Sequence, residues 1–134
     1  MPVLRAEIMP VRSEHDVVLV RQATRSWAAA QGLGLVDQTK IVTAASELAR
    51  NALIYGGGGA ARLEAIEDDG RRGLRVTFED QGPGIADVEA ALRDGFTTGS
   101  GLGLGLGGAK RLVNEFDLWT AVGQGTRVAI TRWK

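Results

Sequence analysis

The stretch Thr98-Gly99-Ser100-Gly101-Leu102-Gly103-Leu104-Gly105-Leu106-Gly107-Gly108 constrains this chain more than any other. Glycine falls on every second residue from Gly99 to Gly107, and residues 109–116 behind it read as a helix. Residues without a Cβ let backbone N–H groups approach a ligand closely. A helix start adds unpaired N–H groups and the positive end of a dipole. Together these make a cradle for phosphate. The alternative is a solvated linker, but Leu102, Leu104 and Leu106 give the stretch apolar anchors that such a linker lacks.

A chain of 134 residues carries one domain, residues 1–134, with room for a real core. Sixteen basic and sixteen acidic side chains cancel, so no net field draws nucleic acid or an acidic membrane surface. Cysteine is absent, which excludes disulfides and thiolate chemistry and fits a reducing cytoplasm. No apolar run approaches the roughly 18 residues of a spanning segment, and nothing resembles a signal peptide. The expectation is a soluble, cytoplasmic domain.

In chain order, residues 3–9 form a candidate strand between Pro2 and Pro10. Ser13 offers an N-cap with Asp16 three residues on. Val17, Val20, Thr24, Trp27 and Ala28 then recur at helical spacing to about Gln31, where Gly32 and Gly34 stop the helix. His15 reads as a solvated surface residue in the first turn. Asp37 reads as the next N-cap, and Ile41, Ala45, Leu48 and Ala52 as a narrow apolar stripe running to Tyr55. Glu47 and Asn51, four residues apart, lie one above the other on the flank of that stripe. They mark either the edge of a cavity or a polar pair in solvent.

Glycines 56–59 break the helix. Residues 60–68 and 73–80 read as strands joined by a turn at Asp69-Gly70-Arg71-Arg72. Asp80 has the parity of Leu74, Val76 and Phe78, so its carboxylate points to the core side and needs a partner or a ligand. Gln81-Gly82-Pro83-Gly84-Ile85 is a tight turn, and residues 87–93 are a short helix ended by Gly95. Residues 117–122 and 126–133 form a last hairpin around Gly123-Gln124-Gly125, with Thr126 facing inward like Val128 and Ile130. This order predicts an α/β fold of the α+β kind, a two-layer sandwich. A mixed, mostly antiparallel sheet is covered on one face by helices.

Four of these features, taken in order, resemble the motifs of the GHKL family of ATP-binding proteins. Ser46-Glu47-Leu48-Ala49-Arg50-Asn51-Ala52 is similar to its N box and Asp80-Gln81-Gly82-Pro83-Gly84-Ile85 to its D-x-G-x-G box. Gly101-Leu102-Gly103-Leu104-Gly105-Leu106 resembles the G-x-G-x-G-L box, and Gly123-Gln124-Gly125-Thr126 the last box. The resemblance implies a Bergerat-type ATP-binding fold. Length and spacing resemble the small switch-protein serine/threonine kinases of the bacterial stressosome, and more distantly the anti-sigma kinases. The segment between Gly84 and Gly99 is short, unlike that of the gyrase and chaperone ATPases. Residues 52–56 lack the histidine that many members carry at the end of the N box.

The resemblance implies ATP and Mg²⁺ as cofactors. Asn51 would hold Mg²⁺ through its amide oxygen, and Glu47 would be the general base for a substrate hydroxyl. Asp80 would accept from the adenine amino group, with Thr126 beside it. Gly82, Gly84 and Ile85 would pass close to the base. Thr98, Gly99, Ser100, Gly101, Leu102, Gly103, Leu104 and Gly105 would close over the phosphates as a lid. Lys40 and Lys110 are candidates for charge assistance. The implied activity is ATP-dependent phosphorylation of STAS-domain proteins in a partner-switching stress response, with binding and activation of a PP2C-type phosphatase. The alternative is an anti-sigma kinase that sequesters a sigma factor.

Overall fold

The computed structural model describes residues 2–92 and 105–134. Its elements run β1 (Val3–Val11), α1 (Glu14–Ala30), α2 (Leu35–Ile54), β2 (Gly59–Asp68), β3 (Arg71–Asp80), α3 (Val88–Ala91), α4 (Leu106–Arg111), β4 (Glu115–Ala121) and β5 (Gly125–Trp133). The strands form one five-stranded sheet in the order β1-β2-β3-β5-β4. Every pairing among the described residues is antiparallel, so the expected mixed sheet is antiparallel here. The two hairpins account for this: β2–β3 and β4–β5 each reverse locally, and they join through the β3–β5 pair.

The Ser13 hydroxyl accepts the N–H of Asp16 and starts α1 as the sequence suggests. Its buried stripe is Val17, Val20, Thr24, Trp27 and Ala28. Thr24 is wholly buried because its hydroxyl donates to Val20 O at 2.7 Å, a back-bond that satisfies it within the helix. Gln31 caps the helix, and its side-chain amide donates to Ile66 O and Gly73 O at 2.9 and 2.8 Å. This stitches the end of α1 to the sheet. His15 is exposed.

α2 is the central helix, packed against α1, α4 and strands β1, β2, β3 and β5. Its buried face is broader than the narrow stripe read from sequence, adding Val42, Ala44 and Ala49 to Ile41, Ala45, Leu48 and Ala52. Alanines let neighbouring backbones close in from several sides, which widens the buried arc. Gly34, not Asp37, is the N-cap. Asp37 is drawn instead to the sheet, where Oδ1 accepts from Arg132 Nη2 at 2.7 Å and from Nε at 3.1 Å. A charged two-point pair outcompetes a local cap.

The β2–β3 turn is only Asp69-Gly70, since Asp68 already pairs with Arg71. α3 follows its N-cap Asp87, whose Oδ1 accepts the N–H of Ala90. α3 ends at Ala91 with Leu92 as its C-cap, short of the expected Arg93; Arg93 and Gly95 themselves lie outside the described residues. α4 begins at Leu106, inside the glycine run, and ends at Arg111; it was expected over 109–116. Leu106 and Ala109 are buried against the core, which holds Gly107 and Gly108 helical despite their weak propensity. Phe116 belongs to β4 and pairs with Ile130. The inner faces of the strands, with Leu63, Leu74, Val76, Phe78, Val128 and Ile130, complete the core beneath α1 and α2.

Candidate active site

β3 ends at Asp80 opposite Thr126, the second residue of β5. The chain then turns away from the sheet, leaving a gap between the strand ends and the C-terminal half of α2. That gap is a cavity of about 520 Å³. Leu48 and Ala52 from α2, Phe78 and Val128 from the sheet, and Leu106 from α4 make its walls apolar. Asp80, Asn51 and Thr126 bring polar groups to it, and Gly84 and Ile85 form one rim. Flat apolar walls with a few placed polar groups suit a heteroaromatic ligand.

Asp80 Oδ1 accepts the N–H of Gly82 at 2.9 Å. Burial pushes this carboxyl above the usual aspartate range, against the opposing pull of the Gly82 and Thr126 backbone N–H groups. Two glycines make room for it. A Cβ at Gly82 would lie 2.6 Å from Gly56 Cα and 3.1 Å from Asp80 Oδ1. A Cβ at Gly56 would run into the carboxyl group itself.

The turn after Asp80 is fastened to the last hairpin. Gly84 takes φ +77°, and a Cβ there would meet Ala121 O. Gly123 N donates to Pro83 O at 2.8 Å. Ile85 N donates to Thr120 Oγ1 at 2.9 Å, and Thr120 in turn contacts Gly125 O and Thr126 Oγ1, both at 2.9 Å.

The structure therefore gathers Asn51, Asp80, Gly84, Ile85 and Thr126 around one cavity, with Gly82 against Asp80. Glu47 lies outside this lining and is exposed. It lies one turn before Asn51 on α2 and beside Gly105, where a Cβ would come within 2.6 Å of Glu47 Oε2. Thr98, Gly99, Ser100, Gly101, Leu102, Gly103 and Leu104 lie outside the described residues. Lys40 sits about 16 Å along α2 from Asn51 at 1.5 Å per residue and lines no part of the cavity. Lys110 is exposed on α4 and does not line it either. Sequence reasoning missed Gly56 and Thr120. Thr120 has the parity of Phe116 and Leu118, a signal hidden when Phe116 is assigned to a helix.

The family model of the histidine kinase-like ATPase domain matches residues 9–132. The chain belongs to the histidine kinase-like ATPase domain family. Within that family it is 46% identical over 123 residues to the serine/threonine-protein kinase RsbT of Bacillus subtilis (strain 168), covering 92% of each chain. It is 30% identical over 104 residues to the anti-sigma F factor of Geobacillus sp. (strain WCH70), covering 72% of this chain and 70% of that one. The solved structure of the RsbU and RsbW domains of Rv1364c from Mycobacterium tuberculosis shares the fold. Its TM-score is 0.64 at 22% identity, over 97% of this chain and 33% of the longer one. This histidine kinase-like ATPase domain is that of an RsbT-like, ATP-using serine/threonine-protein kinase, as the sequence motifs led us to expect. Among the described residues no helix is long and apolar enough to cross a membrane.

Proposed function

We propose that this kinase transfers the γ-phosphoryl group of ATP to a serine or threonine hydroxyl of STAS-domain antagonist or scaffold proteins. It would do so in a cytoplasmic partner-switching module of the stressosome type, and also bind and activate a PP2C-type phosphatase. The observation that carries the phosphotransfer reading is the placement of Glu47. A carboxylate lies beside Gly105, at the start of α4, and one helical turn from Asn51, which lines the cavity. A module that only bound nucleotide would have no use for a base there.

The site's residues fit the ligand. Asp80 is a half-buried acceptor in an apolar slot, suited to the adenine amino group, and Thr126 stands beside it. Gly84 and Ile85 would lie against the base, with Gly82 packed behind Asp80, and Gly105, with residues 98–104, would donate N–H groups to the phosphates. Asn51 offers a hard amide oxygen on the cavity wall, the donor type that Mg²⁺ accepts alongside phosphate oxygens. Mg²⁺, when bound, would supply charge neutralisation on the phosphates.

In the reaction, Glu47 takes the proton of the substrate hydroxyl as its oxygen attacks the γ-phosphorus. The bond to the β-phosphate oxygen breaks, and ADP leaves. The chain's part is to position and to accept that proton.

The likeness to the anti-sigma F factor supports a second reading, in which the chain sequesters a sigma factor and phosphorylation serves release. Incubation with ATP, Mg²⁺ and candidate STAS-domain, phosphatase and sigma-factor partners separates the two, with binding and phosphate transfer both measured. We expect transfer to a STAS-domain protein. Capture of a sigma factor with neither STAS-domain nor phosphatase partner would overturn the first reading.

A further inference from the structure

Thr120 Oγ1 makes three contacts, and its protons can be counted. The N–H of Ile85 points to it at 2.9 Å, so one lone pair is taken. Gly125 O lies 2.9 Å away and can only accept. Two oxygens at that distance repel unless a proton lies between them, so the single Thr120 proton goes to Gly125 O. Thr126 Oγ1 is also 2.9 Å away, and that contact needs a proton too. The only one left is that of Thr126. Its hydroxyl hydrogen therefore points away from the cavity, toward Thr120, and lone pairs remain for the cavity side.

We propose that Thr120 is a positioning residue that fixes Thr126 as a hydrogen-bond acceptor. The inner end of the cavity then presents acceptors, Thr126 Oγ1 and the Asp80 carboxylate. Such a pair selects a purine bearing an exocyclic amine and rejects one bearing an oxo group at the same position. This rests on the nucleotide reading above and adds the origin of base selectivity. A threonine with a freely turning hydroxyl would donate to an oxo group as readily as it accepts from an amine. Thr120 removes that freedom without touching the ligand, since it does not line the cavity.

The test compares the affinities of ADP and IDP by titration calorimetry at pH 8; IDP has an oxo group in place of the amine and carries a hydrogen on the adjacent ring nitrogen. The wild type should prefer ADP. In Thr120→Val the Thr126 hydroxyl is released, and the preference should shrink by about tenfold, the worth of one reoriented hydrogen bond. Thr120→Ser should restore it. Equal weakening of both nucleotides, with the preference unchanged, would overturn the proposal and leave Thr120 a merely structural link. Thr126→Val supplies an independent test should Thr120→Val not fold. An acceptor at 126 predicts weaker ADP binding with IDP binding kept or improved, and the reverse pattern would overturn the proposal. If the wild type binds neither nucleotide, it is the nucleotide reading itself that fails.

Discussion

Replacing Asp80 by asparagine changes its charge and hydrogen-bonding pattern while nearly keeping its shape. The carboxyl accepts from Gly82 N at 2.9 Å, is hemmed in by Gly56 and also feels the Thr126 N–H, so the variant should keep its oxygen toward these backbone donors and turn its NH₂ toward the cavity. A donor then faces the amine of the base. A hydrogen bond to a charged group is worth about 1.5 to 3 kcal/mol, which converts to a rise in the ADP dissociation constant of about 10- to 100-fold. The unligated protein should respond with the opposite sign. Burial raises the Asp80 pKa in the folded state, so the folded chain binds the proton more tightly than the unfolded one. The stability this confers is fully present below the ordinary aspartate value and is lost as pH rises through the folded value. At neutral pH the ionised carboxylate is a burden, and Asp80→Asn removes it. We expect weaker ADP binding by calorimetry, together with equal or greater resistance of the ligand-free protein to urea at pH 7. Glu79→Gln, at the neighbouring exposed position, should leave the ADP affinity within about twofold. A folded Asp80→Asn protein that binds ADP as the wild type does would refute the reasoning.

Glu47→Gln should lower phosphotransfer by about 10²- to 10⁴-fold, the usual contribution of a general base, while ADP affinity by calorimetry stays within about twofold. Gly105→Ala places a Cβ at φ +65° and 2.6 Å from Glu47 Oε2. Chemical denaturation should show a loss of about 1 kcal/mol, and phosphotransfer assays a larger fall than nucleotide binding does. On the other face of the sheet, the Arg75 guanidinium donates to the nearly buried Glu64 at 2.9 Å and holds its pKa below the ordinary value of 4.5. Glu64→Gln should therefore cost about 1 to 2 kcal/mol at pH 7. A pH series of urea midpoints should show that difference shrinking as pH falls below 4.5 toward the lowered folded value, where Glu64 takes up its proton.

Much of this was legible where local periodicity and burial agree. The stripe of α1 was readable because a single face of that helix is buried, with Ser13 capping it. Asp80 was legible because strand parity alone turns it inward. Helical angle put Glu47 and Asn51 together on the flank of α2 but left open whether they edge a cavity or face solvent; the structure puts Asn51 on the cavity wall and Glu47 beside Gly105, more than fifty residues on. The misreadings share one cause, a tertiary partner overriding a local signal. Asp37 looked like a cap until Arg132 was there to claim it. Gly107 and Gly108 looked like loop because propensity does not register Leu106 and Ala109 anchoring the helix around them. Strand parity alone could turn Thr120 inward, but not reveal its role, which depends on Ile85, Gly125 and Thr126 arriving from two other segments.

The pairing of β3 with β5 also has a temporal side. Asp80 and Thr126 face each other across the ladder, yet 46 residues (126 minus 80) separate them along the chain. At a synthesis rate of about 5 to 20 residues per second, roughly 2 to 9 s pass on the ribosome between making one and making the other. Throughout that interval β3 is an uncovered edge, a template for wrong partners. The nucleotide cannot help during it, since the inner end of its cavity does not yet exist. Binding of ATP thus comes after the hazard it might otherwise relieve, and the nascent chain must hold that edge safe by other means.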